Sequence, residues 1–184
     1  MALNPARSAA AAVLFLLAGC AALEPESNAG NMAAPFFGDW IGAASASSTD
    51  PDAANEGMRD IGIEISPHDG DGFTIHWSMA GRSARDPQGR ESRLRDTTIS
   101  FKPQAGNIYH MDPDADVAAG ETHYIARLEG NVLTITAFAT QEDGKTELQT
   151  WRRTLTADGM TLDFTRVVDG ELVRKAQGSL VRIK

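Results

Sequence analysis

Six turn-forming dipeptides cut this chain into short, evenly spaced pieces: Asp69-Gly70, Asp71-Gly72, Gly130-Asn131, Asp143-Gly144, Asp158-Gly159 and Asp169-Gly170. Gly, Asn and Asp tolerate the positive φ of tight hairpin turns, so each dipeptide is a place for the chain to reverse. Between them, apolar and polar residues alternate with a period of two, and almost nothing repeats at the helical period. The runs that read as strands are Asp39–Ser47, Met58–Ser66, Gly72–Met79, Arg95–Lys102, Asn107–Met111, Thr122–Leu128, Val132–Gln141, Thr146–Leu155, Met160–Val168 and Leu172–Ile183. This rhythm predicts an all-β domain: an antiparallel up-and-down meander of eight to ten strands. Closing such a meander into a barrel removes its two exposed edges.

The alternation also assigns faces. Ile61, Ile63 and Ile65 share one face of their strand, as do Phe73, Ile75, Trp77 and Met79 of the next. The Asp158-Gly159 turn sets Leu155 opposite Met160; counting back pairs Arg153 with Leu162 and Trp151 with Phe164 on an apolar, inward face. The other face then pairs Arg152 with Asp163, Thr150 with Thr165 and Thr154 with Thr161, a solvent face with a complementary charge pair. Turn chemistry and face segregation agree on one register.

The same parity turns Gln149, Arg153 and Arg166 inward beside Trp151 and Phe164. A three-residue Asp169-Gly170-Glu171 loop would set Arg174 opposite Arg166; a two-residue turn would slip that register. Opposed like charges are unfavourable, and an arginine does not shed its proton, so an anion between them would resolve the conflict. Gln149, Trp151, Arg153, Phe164, Arg166 and Arg174 are therefore the candidate ligand-binding residues. Small inward residues (Ala126, Ala137, Ala139, Ala176, Gly178) lie among Trp77, Tyr124, Trp151 and Phe164. Such a mixture either lines a cavity or interdigitates into a filled core.

Ahead of this domain, Arg7 precedes an apolar stretch, Ala9–Ala18, that ends in small residues, the tripartite pattern of a secretory signal. The stretch is far short of the ~20 residues of a membrane-spanning helix. Leu17-Ala18-Gly19-Cys20 resembles the lipobox of bacterial lipoprotein precursors. That resemblance implies a signal peptide over residues 1–19, cleavage before Cys20, and acylation of its sulfur and new N-terminus. Ala21–Pro35, rich in Ala, Asn, Ser, Glu and Pro, reads as a flexible tether, leaving 36–184 as the folded domain. Lipid on Cys20 would be the only membrane link, at about 0.8 kcal/mol per buried methylene. Ala21 in place of Asp, by resemblance to enterobacterial lipoproteins, points to the outer membrane and a periplasm-facing domain. Cys20 is the sole cysteine, so once acylated it leaves no disulfide and no thiol chemistry.

Phe37-Gly38-Asp39-Trp40 opens the first strand, and Arg182 ends the last. This resembles the Gly-x-Trp opening of the calycin superfamily, which includes lipocalins and fatty-acid-binding proteins. The resemblance implies a calycin-like barrel whose base is built by Gly38, Trp40 and Arg182, with the guanidinium covering the indole. It also implies an interior that holds apolar or amphipathic ligands, as an interior arginine holds a fatty-acid carboxylate in that family. The segment Ala44–Gly57 reads as a loop rather than a helical lid. The C-terminal half is also similar to uncharacterised alphaproteobacterial proteins, which implies no activity.

Composition excludes some partners. The formal charge is −8, and loss of Arg7 with the signal makes it −8 − 1 = −9. An acidic domain does not suit nucleic acid. Arg82, Arg85, Arg90, Arg93 and Arg95 form a local basic run around Asp86-Pro87-Gln88-Gly89, the pattern of a solvated hairpin or of a phosphate or acidic-patch contact. Asp112, Asp114 and Asp116 have calcium-loop spacing, but Val117 stands where Gly is needed and no Glu closes the loop. His68, His76, His110 and His123 are scattered, and serine forms no nucleophile elbow. No metal, cofactor or catalytic motif results. The sequence predicts a membrane-anchored lipoprotein whose barrel carries a small amphipathic, anionic ligand. The alternative is a protein-binding envelope accessory or a protease or lysozyme inhibitor. A hollow interior favours the first and a filled one the second.

Overall fold

A computed structural model describes residues 30–49, 57–81 and 95–183. Ten antiparallel strands follow in chain order: β1 (Gly38–Ser48), β2 (Gly57–His68), β3 (Gly72–Gly81), β4 (Arg95–Ala105), β5 (Ile108–Asp112), β6 (His123–Glu129), β7 (Val132–Thr140), β8 (Thr146–Thr156), β9 (Gly159–Val168) and β10 (Glu171–Arg182). Each pairs with its sequence neighbours, and β1 pairs with β10 from Trp40↔Arg182 to Ser48↔Arg174, closing the barrel. This is the all-β meander that the turn rhythm predicts, carried to full closure. Residues 1–29, with Cys20 and its cleavage site, lie outside the described residues, as do Arg82, Arg85, Arg90 and Arg93. Among the described residues no helix is long and apolar enough to cross a membrane.

Two strands run past prolines at which the sequence reading stopped them. Pro67 lies beyond the last β1–β2 pair, Gly38↔Ile65, and Pro103 beyond the last β3–β4 pair, Phe73↔Phe101. Each therefore has one side without a ladder partner, the kind of edge position at which a residue lacking an N–H is tolerated. The β8–β9 hairpin has the predicted register at every pair from Gln149↔Arg166 to Leu155↔Met160. The last hairpin differs from expectation. Its loop is the two-residue Asp169-Gly170, with φ of 48° and 83°. Val173 is then inserted as a bulge between Leu172↔Val167 and Arg174↔Arg166. The extra residue cancels the slip that a two-residue turn would cause, and the arginines still meet.

The seam between β1 and β10 is drawn tight by glycine. A Cβ on Gly42 would fall 2.0 Å from the Ser179 carbonyl oxygen, and one on Gly178 would fall 2.7 Å from that of Ala43. Neither position admits a side chain without separating the strands.

One end of the barrel is filled. Phe73 stacks on Phe101 with centroids 4.9 Å apart and meets Tyr109 edge-on at 5.3 Å. Trp40 is buried in the same core; its Nε1 donates to the Phe36 carbonyl at 2.9 Å, and the Arg182 guanidinium lies 4.4 Å from its ring centroid. Arg182 also donates to the Pro35 carbonyl, at 2.5 Å. The assignment of residues 20–35 to a flexible tether is corrected here over its last part. Ala33 and Phe36 are fully buried around a 3-10 turn at Ala34–Phe36, and Asn31 Nδ2 donates to the Gly72 carbonyl at 2.8 Å. These residues plug the barrel base. The plug has no period, only a few apolar side chains, so alternation could not reveal it.

Candidate functional site

The other end is hollow, and the register explains why. One cross-strand row of inward side chains reads Ala46–Ala176–Phe164–Trp151, across β1, β10, β9 and β8. The next row toward the base reads Arg59–Ala44–Gly178–Leu162–Arg153, from β2 round to β8. In both rows β1 and β10 contribute only alanine or glycine. Large side chains from β8 and β9 do not reach across, and a cavity of about 350 Å³ remains. Ala44, Ala46 and Ala176 form one wall, and Ile61, Trp151, Leu162 and Phe164 give it an apolar interior. Arg59, Glu147, Gln149, Arg166 and Arg174 supply its polar groups.

Five of the six predicted ligand residues line this cavity: Gln149, Trp151, Phe164, Arg166 and Arg174. Arg166 and Arg174 face each other across β9 and β10. The expectation that an external anion must relieve them is corrected, because the chain supplies one. Glu147, only 8% exposed, takes two hydrogen bonds from Arg166, Nε to Oε1 at 2.9 Å and Nη2 to Oε2 at 2.7 Å. Gln149 Nε2 and Gln141 Nε2 donate to its two oxygens at 2.5 Å each. The hydrogen bonds from Arg166 hold the Glu147 carboxyl below its ordinary range, against the opposing effect of burial. Glu147 has the same parity as Gln149, Trp151 and Arg153, so alternation alone points it inward. Ala44, Ala46 and Arg59 were hidden because β1 and the start of β2 carry too few large apolar residues to mark a face.

Arg153, the sixth predicted residue, does not line the cavity. It sits one row nearer the base, between Leu133 and Leu162, and is 1% exposed. Its guanidinium lies 5.5 Å from the Trp77 ring centroid, and its Nε and Nη1 have no hydrogen-bond partner among the described residues. Burial pushes its pKa down to about 9, so it remains a cation at neutral pH. Above it, Trp151 packs against Trp77 (centroids 5.4 Å), Phe164 (5.2 Å) and Tyr124 (6.3 Å). This cluster separates Arg153 from the cavity. Desolvation by the same cluster raises the Tyr124 hydroxyl pKa, with the Glu147 charge adding to it.

The remaining candidates fall elsewhere. Asp112 is held by Lys102 Nζ at 2.7 Å and faces His68 at 3.5 Å, whereas Asp116 caps a 3-10 turn by accepting from the Ala119 N–H. The three aspartates thus do not converge as a calcium loop would require. His110 and His123, read as scattered, are neighbours with ring centroids 5.6 Å apart, because β5 and β6 pair side by side.

No known protein-family model and no curated protein matches this chain. Solved structures do match its fold. Rv2717c of M. tuberculosis superposes with a TM-score of 0.52 at 12% identity, over 82% of this chain and 94% of that one. A protein of unknown function from the DUF3598 family of Nostoc punctiforme gives 0.51 at 16% identity, over 80% of this chain. The chain spans about half of that protein, 47% of its length. At these identities the likeness is one of fold: this chain is a closed, lipocalin-like β-barrel.

Proposed function

We propose that the protein is a lipid-anchored envelope lipoprotein whose barrel binds a small amphipathic anion. The observation that carries the reading is the half-hollow interior: a cavity whose wall joins the apolar Ile61, Trp151, Leu162 and Phe164 to the polar Arg59, Glu147, Gln149, Arg166 and Arg174. An amphiphile satisfies both parts at once, its anionic group among the arginines and its chain against Trp151, Leu162 and Ile61. Arg59, Arg166, Arg174, Glu147 and Gln149 are among the described lining residues, so a polar or charged head group meets hydrogen-bonding side chains there. A hollow barrel favours this carrier role over the protein-binding or inhibitor alternative. The Leu17-Ala18-Gly19-Cys20 sequence supports acylation at Cys20 and an outer-membrane, periplasm-facing location.

The test is a ligand-induced shift in melting temperature with a matched set of ten-carbon amphiphiles: decanoate, decyl phosphate, decanol and decyltrimethylammonium. The anions should raise the melting temperature and quench tryptophan fluorescence through Trp151, and the cation should not. Ligand at a hundredfold excess over its Kd adds about 2.7 kcal/mol, a shift easily read in a domain of this size. Arg174→Met should reduce the preference for anions over decanol. No response to any anion would refute the reading.

A further inference from the structure

Glu147 sits where the carboxylate of a ligand would. Its Oε1 accepts from Arg166 Nε at 2.9 Å and from Gln149 Nε2 at 2.5 Å; its Oε2 accepts from Arg166 Nη2 at 2.7 Å and from Gln141 Nε2 at 2.5 Å. Two bonds to each oxygen use the lone pairs of the whole carboxylate, and the guanidinium fork grips it bidentately. This cradle belongs to the cavity, because Glu147, Gln149 and Arg166 all line it. We infer that the cradle is the head-group subsite of the cavity and that Glu147 is its built-in occupant, so that a carboxylate ligand binds by exchange with it. The inference rests on the amphiphile reading above and names the head group as a carboxylate. Exchange is required because two carboxylates sharing one buried site repel, and the Arg166 hydrogen bonds keep Glu147 ionised at neutral pH. Exchange is also close to balanced: the ligand gains at these donors what Glu147 gives up, so affinity for the head group is set by how firmly Glu147 is held. Glu147 is the second residue of β8 and pairs with Val168, the last of β9, so it stands at the end of its ladder, where a side chain is freest to move. With no ligand bound, Glu147 keeps the donors of the cradle satisfied.

The experiment is a calorimetric titration of the wild-type protein, Glu147→Gln and Gln141→Leu with decanoate, decyl sulfate and decanol at neutral pH, below their micellar or solubility limits. Glutamine keeps the shape of Glu147 without its charge, so decanoate no longer has to displace an anion from Arg166. The affinity for decanoate relative to decanol should rise at least about tenfold in Glu147→Gln, the equivalent of about 1.4 kcal/mol. Gln141→Leu removes one of the bonds that hold Oε2 and should raise the same ratio about threefold. Gln141 lies just past the end of β7, and its variant carries the test should Glu147→Gln fail to fold. A ratio unchanged in both variants, with decanoate still bound by the wild type, would overturn the exchange and leave the proposed function standing. A ratio that falls in Glu147→Gln would overturn it as well, making Glu147 a support of the site rather than its occupant. A larger gain for decyl sulfate than for decanoate would overturn the carboxylate assignment. Binding of no amphiphile by any of the three proteins would overturn both the exchange and the proposed function.

Discussion

Arg153→Met should make the ligand-free protein more stable. The guanidinium is wholly buried, carries its charge at neutral pH, and has Nε and Nη1 without acceptors. A pKa pushed down to about 9 by burial corresponds to a differential penalty of roughly 5 kcal/mol at 1.36 kcal/mol per unit. Against this stands the contact with Trp77, about 0.5–2 kcal/mol for a desolvated cation over an indole. Methionine conserves much of the volume and leaves no unpaired N–H, so the net gain should be about 2–4 kcal/mol, the scale seen when buried charges give way to apolar residues. Urea melts at neutral pH, followed by tryptophan fluorescence, would measure it. The gain also has a pH signature. The native pKa lies below the unfolded one, so the penalty is constant below about pH 9 and fades as pH rises above it. Wild-type stability should therefore climb relative to the Met variant above pH 9, narrowing the gap by about 1.4 kcal/mol per pH unit. A Met variant less stable than wild type by more than 1 kcal/mol would refute the reasoning and mean that Arg153 has a bound counter-ion.

Three further outcomes follow from the same physics. Trp40→Ala should destabilise by about 3–5 kcal/mol through the void left in the base, and combining it with Arg182→Ala in a denaturant cycle should give less than the sum, because the two side chains touch. Full additivity would mean no such contact. Glu147→Gln should lower stability at neutral pH by about 1–3 kcal/mol, since Arg166 loses its bidentate partner. Its carboxyl pKa is held down in the fold, so this contribution is complete above the ordinary carboxyl range and is lost as pH falls through the lowered value; acid melts of the Gln variant should lack that limb. Cys20→Ser should release the protein from the membrane fraction or leave it unprocessed, read by fractionation with labelled palmitate. Retention in the membrane after normal cleavage would remove the lipid from the account.

The fold was legible wherever large side chains alternated. Trp151, Arg153, Phe164 and Leu162 fixed the β8–β9 register because one face was apolar and the turn chemistry agreed, so two signals had to be wrong together for the pairing to fail. The plug at Ala33–Phe36 was illegible because burial without a period leaves no pattern. The site divides along the same line. Its aromatic and arginine half was readable by parity, since β8 and β9 carry distinctive residues at every second position. Its alanine half was not, because Ala44 and Ala46 sit among Ser and Ala in a stretch where either face looks alike. Yet that half makes the cavity: the space exists because β1 and β10 withhold side chains, and a residue that withholds has no signature until the register shows what lies opposite. Arg166 and Glu147 give the converse case. Reading Arg166 against Arg174 alone called for a ligand anion, whereas extending the same parity four residues, from Trp151 back to Glu147, supplies the anion within the chain. Charge in a barrel is settled around the whole inner face, so a pairwise conflict becomes evidence for a ligand only after every residue of that parity has been counted. On that count Arg153, with its neighbours Leu133, Leu162 and Trp77, is the cation that no described side chain neutralises.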